Sequence, residues 1–437
     1  MMNLVPAWGL MGPDGLASLR RVRTLDVGAS VRQFNELAVP GMGSIWTGRQ
    51  LLWPLLGIAA AGIARASISV SNIEAANAVE ALACRMALDA NGWQRDARIR
   101  GAQKLLGAEN LTFKAMRRPG FYVTQPMRMS AVQPLLALGF VESQSERFNS
   151  YNLAEAGESL LETACAPYLR CWYSHGVVST LAQWFTGNPE RISHIDTLRE
   201  AITPLAPLPE LAAQTLREQL AGRSDANSLR RRSALAWVRA CQNPHHSIQS
   251  WEDDEPPQLD SDHWSDLRAG AQFFNARAAA IAVLDACERL MGPTGTPLVL
   301  RGPLPDSIKS SLETAQVAAT AFLSLAEGGR YHPSGVQMCV ELSSLASAEA
   351  LRRLVARDGR VLRLSGDEAI PGVAFDGGAG TPDESEDGVQ NDGSSSPELA
   401  DRIRLPAGIS FRMRNLFLLD LDLQGDLDAW LGESTTE

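Results

Sequence analysis

Residues 136–157 read LALGFVESQSERFNSYNLAEAG, and their reading decides what the middle of the chain folds into. Just upstream, SAVQPLLAL (Ser130–Leu138) places Val132, Leu135, Leu136 and Leu138 on one packed helical face. Gly139 ends that helix, because a left-handed C-terminal position is least costly for glycine. Phe140 and Val141 begin an extended segment, SQSERFNS is polar and turn-like, and Tyr151 and Leu153 form a second extended segment. A helix with an acidic start follows at Ala154-Glu155-Ala156-Gly157.

Working outward, the chain reads as helical to about residue 355. Ser71-Asn72-Ile73-Glu74 is a capping box that opens a helix through AANAVEALACRMAL. Short helices are expected at Arg95–Leu106 and Asn110–Met116, and a long run from Glu155 breaks at Pro167. Helical periodicity returns over Leu208–Leu220, Asn227–Cys241, Asp262–Met291, Asp306–Ala326 and Val336–Ala356. LLWPLLGIAAAGIA (Leu51–Ala64) is apolar on all sides. As a helix it spans roughly 21 Å against a ~30 Å hydrocarbon layer, so it reads as a central core helix with Pro54 in its first turn. Trp172, Trp184, Trp237 and Trp264 sit among apolar neighbours and read as core, while Asn243–Trp264 is a polar connection.

Beyond residue 358 the texture changes. RDGRVLRLSG is strand-like, and ISFRMRNLFLLDLDL (Ile409–Leu423) alternates well enough to read as the best strand in the chain. Between them, residues 366–401 carry acids and no Lys or Arg, and read as a disordered acidic loop. The expected fold is mainly α and multidomain: helical bundle domains with an embedded winged module and a small C-terminal β element. The expected segments are 1–94 helical, 95–165 winged, 166–245 helical, 246–357 helical, and 358–437 β with the loop 366–401 inside it.

The 437 residues are 45% apolar and 21% charged, as in a folded soluble protein, and a net charge of −10 argues against indiscriminate nucleic-acid binding. Abundant Ala and an excess of Arg over Lys point to a GC-rich bacterial genome. Six scattered cysteines (Cys84, Cys165, Cys171, Cys241, Cys287 and Cys339) without a Cys-x-x-Cys pair read as buried thiols in a reducing compartment. The N-terminal MMNLVPAWGLMGPDG does not read as a secretory signal, so a cytoplasmic location without membrane attachment is expected.

Catalytic patterns are sparse. Arg170 with His175, and Arg239 with His245, match the loose Arg-x4-6-His spacing of helical ribonucleases, where Arg would hold phosphate and His would move a proton. Structural roles are the favoured reading of both pairs. His245-His246 with Glu252, Asp253, Asp254 and Glu255 reads as a solvated loop in preference to a metal site. PGMGSIWTG (Pro40–Gly48) lacks the Lys and Ser/Thr of a phosphate loop and reads as a turn, and Ser174-His175 forms no nucleophile elbow. No catalytic residue, metal or cofactor is expected.

The order helix, glycine, strand, polar loop, strand, helix resembles the winged helix-turn-helix family. LGFVE followed by NLAEAGESLLE is similar to the end of the recognition helix, the wing and the next helix in bacterial regulators of the multiple-antibiotic-resistance type, over Gln103–Glu162. The resemblance implies that Arg128, Ser130 and Gln133 face base edges and that Arg147 and Asn149 lie along phosphates or a minor groove. The residues add a local positive field: Arg95, Arg98, Arg100, Lys104, Lys114, Arg117, Arg118 and Arg128 fall within 34 positions, opposed by Asp96 and Glu109. The chain departs from the pattern in a long turn, RRPGFYVTQPM, in Pro134 within the helix, and in Glu142 and Glu146 on the wing. The expected role is a non-enzymatic DNA-binding subunit or adaptor of a bacterial multi-protein DNA-processing or antiviral defence assembly. Its partners would be duplex DNA and other protein subunits. A protein-binding scaffold and an Arg–His ribonuclease are the alternatives.

Overall fold

The computed structural model describes residues 23–108, 110–168, 176–187, 195–243, 250–377, 399 and 402–432. These residues are mainly helical, with one two-stranded and one three-stranded sheet among them. The chain divides into two compact units interleaved in sequence, unlike the five consecutive segments expected. The larger is Val31–Phe274 with Asp383–Glu437, and the smaller is Met1–Ser30 with Asn275–Pro382. No helix among the described residues is long and apolar enough to cross a membrane.

The larger unit is built on the all-apolar segment, which forms the helix Arg49–Ala64 with nearly every residue buried. It begins two residues earlier than expected, so Pro54 lies beyond the first turn and cannot donate to the Gln50 carbonyl. Its main neighbour is Asn72–Ala90, opened by the expected capping box: Glu74 N–H donates to Ser71 Oγ at 3.3 Å and Ser71 N–H to Glu74 Oε2 at 2.9 Å. The two helices cross at Gly57, where a Cβ would come within 2.6 Å of Ala76 Cα. Arg49, buried, donates to the carbonyls of Ala201, Ala206 (3.2 Å) and Pro207 (2.9 Å), capping the end of the helix Ile195–Ile202. Trp184, Trp237 and Trp264 are core residues as expected, while Trp172 lies outside the described residues.

Ile409–Leu423, expected as a strand, is instead the helix Phe411–Gln424, with Ser410 capping its start and Gly425 ending it at φ 83°. The alternation misled because this helix is buried on nearly every side, so no polar face had to show in the sequence. Several of its polar side chains find partners far along the chain. Arg412 donates to the Val39 carbonyl (3.0 Å), Asn415 to the Ser44 carbonyl (3.0 Å), Asp420 accepts from Arg239, and Asp422 accepts from Gly48 N–H (2.8 Å).

The smaller unit packs Asp306–Leu323, Pro333–Ser344 and Ser347–Asp358 with an antiparallel sheet. The expected helix Val336–Ala356 is thus two, separated at Leu345-Ala346. In the sheet, Glu368–Pro371 lies between Leu298–Val299 and Leu362–Ser365, in register Leu298↔Ala369 and Leu364↔Ala369. Residues 366–377 are therefore ordered, which corrects the expected start of the acidic loop. Gly366 at φ 59° makes the tight turn that returns the chain into a hairpin. Residues 378–398, with 400 and 401, lie outside the described residues. The β element draws on 298–299, 362–365 and 368–371, and takes nothing from 409–423. Arg23 anchors this unit, buried against Asp285 (3.2 Å), Glu288 (2.5 Å) and Asp358.

Candidate nucleic-acid interface

The helix expected at 130–138 runs from Arg128 to Ala137, and Gly139 follows at φ 76°. Val141–Glu142 then pairs antiparallel with Asn152–Leu153, across a turn at Phe148–Ser150, before the helix Glu155–Cys165. The local order of elements is therefore the one read from the sequence. The preceding helices are shorter than expected: Ala102–Leu106 and Phe113–Met116, with 95–100 in a non-helical turn.

A buried carboxylate organises this segment. Glu80 accepts the Tyr122 hydroxyl, Met127 N–H (2.5 Å) and Arg128 N–H (2.9 Å), so a neighbouring helix caps the start of Arg128–Ala137. Burial pushes the Glu80 carboxyl up and drives the Tyr122 hydroxyl well up. The sequence signal was a charge inside an alanine-rich apolar run, and it was missed.

Of the residues expected to meet bases, Arg128 donates from Nε to Asn77 Oδ1 at 2.8 Å, with its guanidinium 5.1 Å from the Phe148 ring centre. Gln133 donates to Glu36 and accepts from Arg412 at 2.9 Å. Ser130 is half-buried, and its carbonyl accepts Ser44 N–H at 3.4 Å. The PGMG turn lies directly on this helix. A Cβ on Gly43 (φ 59°) would sit 2.5 Å from the Ser130 oxygen, and one on Gly41 (φ 69°) 2.6 Å from Ala137 Cβ. Glycine is thus required there for close approach as well as for the turn. Helix 128–137 is held by its own chain; sequence reasoning read Gly41 and Gly43 as turn glycines without placing them against this helix, and did not single out Glu36 or Arg412.

In the short hairpin of residues 141–153, Asn149 Oδ1 accepts Ile73 N–H at 3.0 Å, helping to cap the neighbouring helix, while Arg147 is exposed. Among the other cations, Arg98 is buried and paired with Asp96 (2.8 Å) and Asp428. Arg117 pairs with Glu74 at 2.5 Å over the Phe113 ring, and Arg100 is half-buried near Glu80. Arg95, Lys104, Lys114 and Arg118 are exposed. Lys114 and Arg118 line one open depression of about 500 Å³ with Asn110, Thr112 and Phe121, and no acid among the described residues forms an ion pair with either.

Arg170, His175, His245 and His246 lie outside the described residues, and Arg239 is held by the buried Asp420 at 2.6 and 3.1 Å. No group of three or more His, Cys, Asp or Glu among the described residues could hold a metal. Cys84, Cys165, Cys241, Cys287 and Cys339 are buried free thiols, pushed up by burial to about 11 for Cys241 and about 12 for the others. Cys171 lies outside the described residues. No protein-family model, curated protein or solved structure matches this chain.

Proposed function

We propose that the chain is a non-enzymatic binding subunit, cytoplasmic and bacterial, that contacts the phosphate backbone of duplex DNA through a winged-helix-like segment. Other subunits of a DNA-processing or defence assembly would be its partners. One observation carries this reading: in a chain of net charge −10, Lys114 and Arg118 are exposed on one depression with no acidic ion-pair partner among the described residues. Lys104, Arg95 and Arg147, also exposed, extend the set of cations for phosphate. Backbone contact is favoured over base reading because Arg128 and Gln133 already bond within the chain.

Fluorescence anisotropy of the full chain on a labelled random duplex tests this, at about 50 and 200 mM salt. The variant Lys114→Glu/Arg118→Glu should bind more weakly, and its log–log salt slope should be shallower by about 1.8, the loss of two phosphate contacts. Unchanged binding in this variant, or no binding by the wild type, overturns the proposal. A protein-binding scaffold is the second reading, favoured by the exposure of Met129 (53%) and Leu136 (36%) on helix 128–137.

A further inference from the structure

We propose that the depression beside Lys114 and Arg118 is a nucleotide subsite that takes an unpaired base together with its phosphate. The chain then prefers single-stranded DNA, or a duplex with a single-stranded tail, over a blunt duplex. This inference rests on the backbone-binding reading above and adds what that reading lacks, a reason for the cavity. A surface phosphate contact needs only a cation. Here the cations open onto about 500 Å³, within the roughly 300–1,000 Å³ of small-ligand sites.

The lining divides by chemistry. Lys114 and Arg118, four residues apart, bring positive charge to the depression. Phe121 packs against the hydrophobic core of the larger unit and also lines the depression, so its ring is held in place before any ligand arrives. Asn110 Oδ1 accepts Thr112 N–H at 3.0 Å, which orients the carboxamide and leaves its NH₂ group as the donor. Cations for the backbone, an aromatic face for the base and a polar group for the base edge are the combination that binds single strands. In a blunt duplex the bases are stacked on one another, so Phe121 can meet only a base that has left the stack.

The test is anisotropy of the full chain on three probes. They are an oligothymidylate of about 12 nucleotides, a blunt duplex, and the same duplex with a short thymidine tail. Phe121→Leu keeps an apolar side chain against the core but has no ring, and Phe121→Trp keeps a ring. The wild type should bind the strand and the tailed duplex about tenfold tighter than the blunt duplex. Phe121→Leu should lose that preference, its affinity for the strand and the tailed duplex falling to that for the blunt duplex, and Phe121→Trp should keep it. Equal wild-type affinity for all three probes overturns the subsite, as does a Phe121→Leu variant that keeps the preference or a Phe121→Trp variant that loses it. In those cases the backbone reading stands. Absence of binding to every probe overturns both.

Discussion

Asp422 and His263, two buried titratable groups of the larger unit, should pull its stability in opposite directions over one pH window. Asp422 is 4% exposed and accepts Gly48 N–H at 2.8 Å. Burial pushes its carboxyl up from 3.8 to about 6, against the pull of Arg49 and Arg98, with Asp428 adding to the rise. His263 is 0% exposed, and burial together with Arg230 pushes its imidazole down from 6.5 to about 4, against Asp260 and Asp266. Its Nε2 meets the Ala38 carbonyl at 2.9 Å, while Nδ1 is buried with no partner among the described residues, so a second proton would have no acceptor. The signs follow from which state holds the proton. Between 3.8 and about 6 the folded Asp422 stays protonated while the unfolded one is ionised, so its contribution falls as pH rises. Between about 4 and 6.5 the unfolded His263 takes a proton that the folded one refuses, so its contribution rises with pH. At about 1.36 kcal/mol per pH unit each effect reaches about 3 kcal/mol, and in the wild type they nearly cancel. Urea unfolding followed by tryptophan fluorescence at about pH 4 and about pH 6.5 separates them. Relative to the wild type, Asp422→Asn should gain about 3 kcal/mol across that interval and His263→Gln should lose about as much. Both variants tracking the wild-type profile to within about 0.5 kcal/mol would refute the reasoning.

Three substitutions probe the packing that positions the candidate interface and the smaller unit. Gly57→Val forces a branched side chain against the Ala76 backbone and should lower stability by about 3 kcal/mol in denaturant titration, overpacking outweighing any gain in helix propensity. Gly43→Ala meets both a φ of 59° and a Cβ 2.5 Å from the Ser130 oxygen, so a loss of about 2–3 kcal/mol is expected, read as a lowered melting temperature. Arg23→Met removes a buried cation that pairs with the carboxylates of Glu288 and Asp358 and should cost about 3–5 kcal/mol, measured by hydrogen exchange in the helix Ser347–Asp358.

What the sequence made legible was whatever local chemistry decides. The capping box at Ser71–Glu74, the left-handed Gly139 and the hairpin order that follows it each depend on residues within a few positions, and each is present. Ile409–Leu423 failed because amphipathic pattern reports a helix only when one face meets water, and here Arg412, Asn415, Asp420 and Asp422 meet partners more than 100 residues away. Glu368–Pro371 was lost in the acidic composition around it, although Gly366 already held the turn. The surroundings of the candidate site were hidden in the same way as the C-terminal helix. Lys114 and Arg118 were visible as cations, but nothing local could say that Arg98, Arg117 and Arg128 would be drawn to Asp428, Glu74 and Asn77.

That distinction bears on affinity. The sequence places eight cations between Arg95 and Arg128, enough for a strong nucleic-acid binder if all faced solvent. Folding pairs Arg98 and Arg117 with acids, draws Arg128 to Asn77 and half-buries Arg100, which leaves Arg95, Lys104, Lys114 and Arg118 exposed, with Arg147 in the hairpin of residues 141–153. Under the proposed reading, a contact set of that size on a chain of net charge −10 would give the weak, salt-sensitive association of non-specific binders, on the order of 10⁻⁴–10⁻⁶ M at physiological salt. Tighter binding would have to come from outside these cations. Under the proposed reading, the described residues offer two such sources: a base held on Phe121, or a second subunit that brings its own contacts to the same DNA.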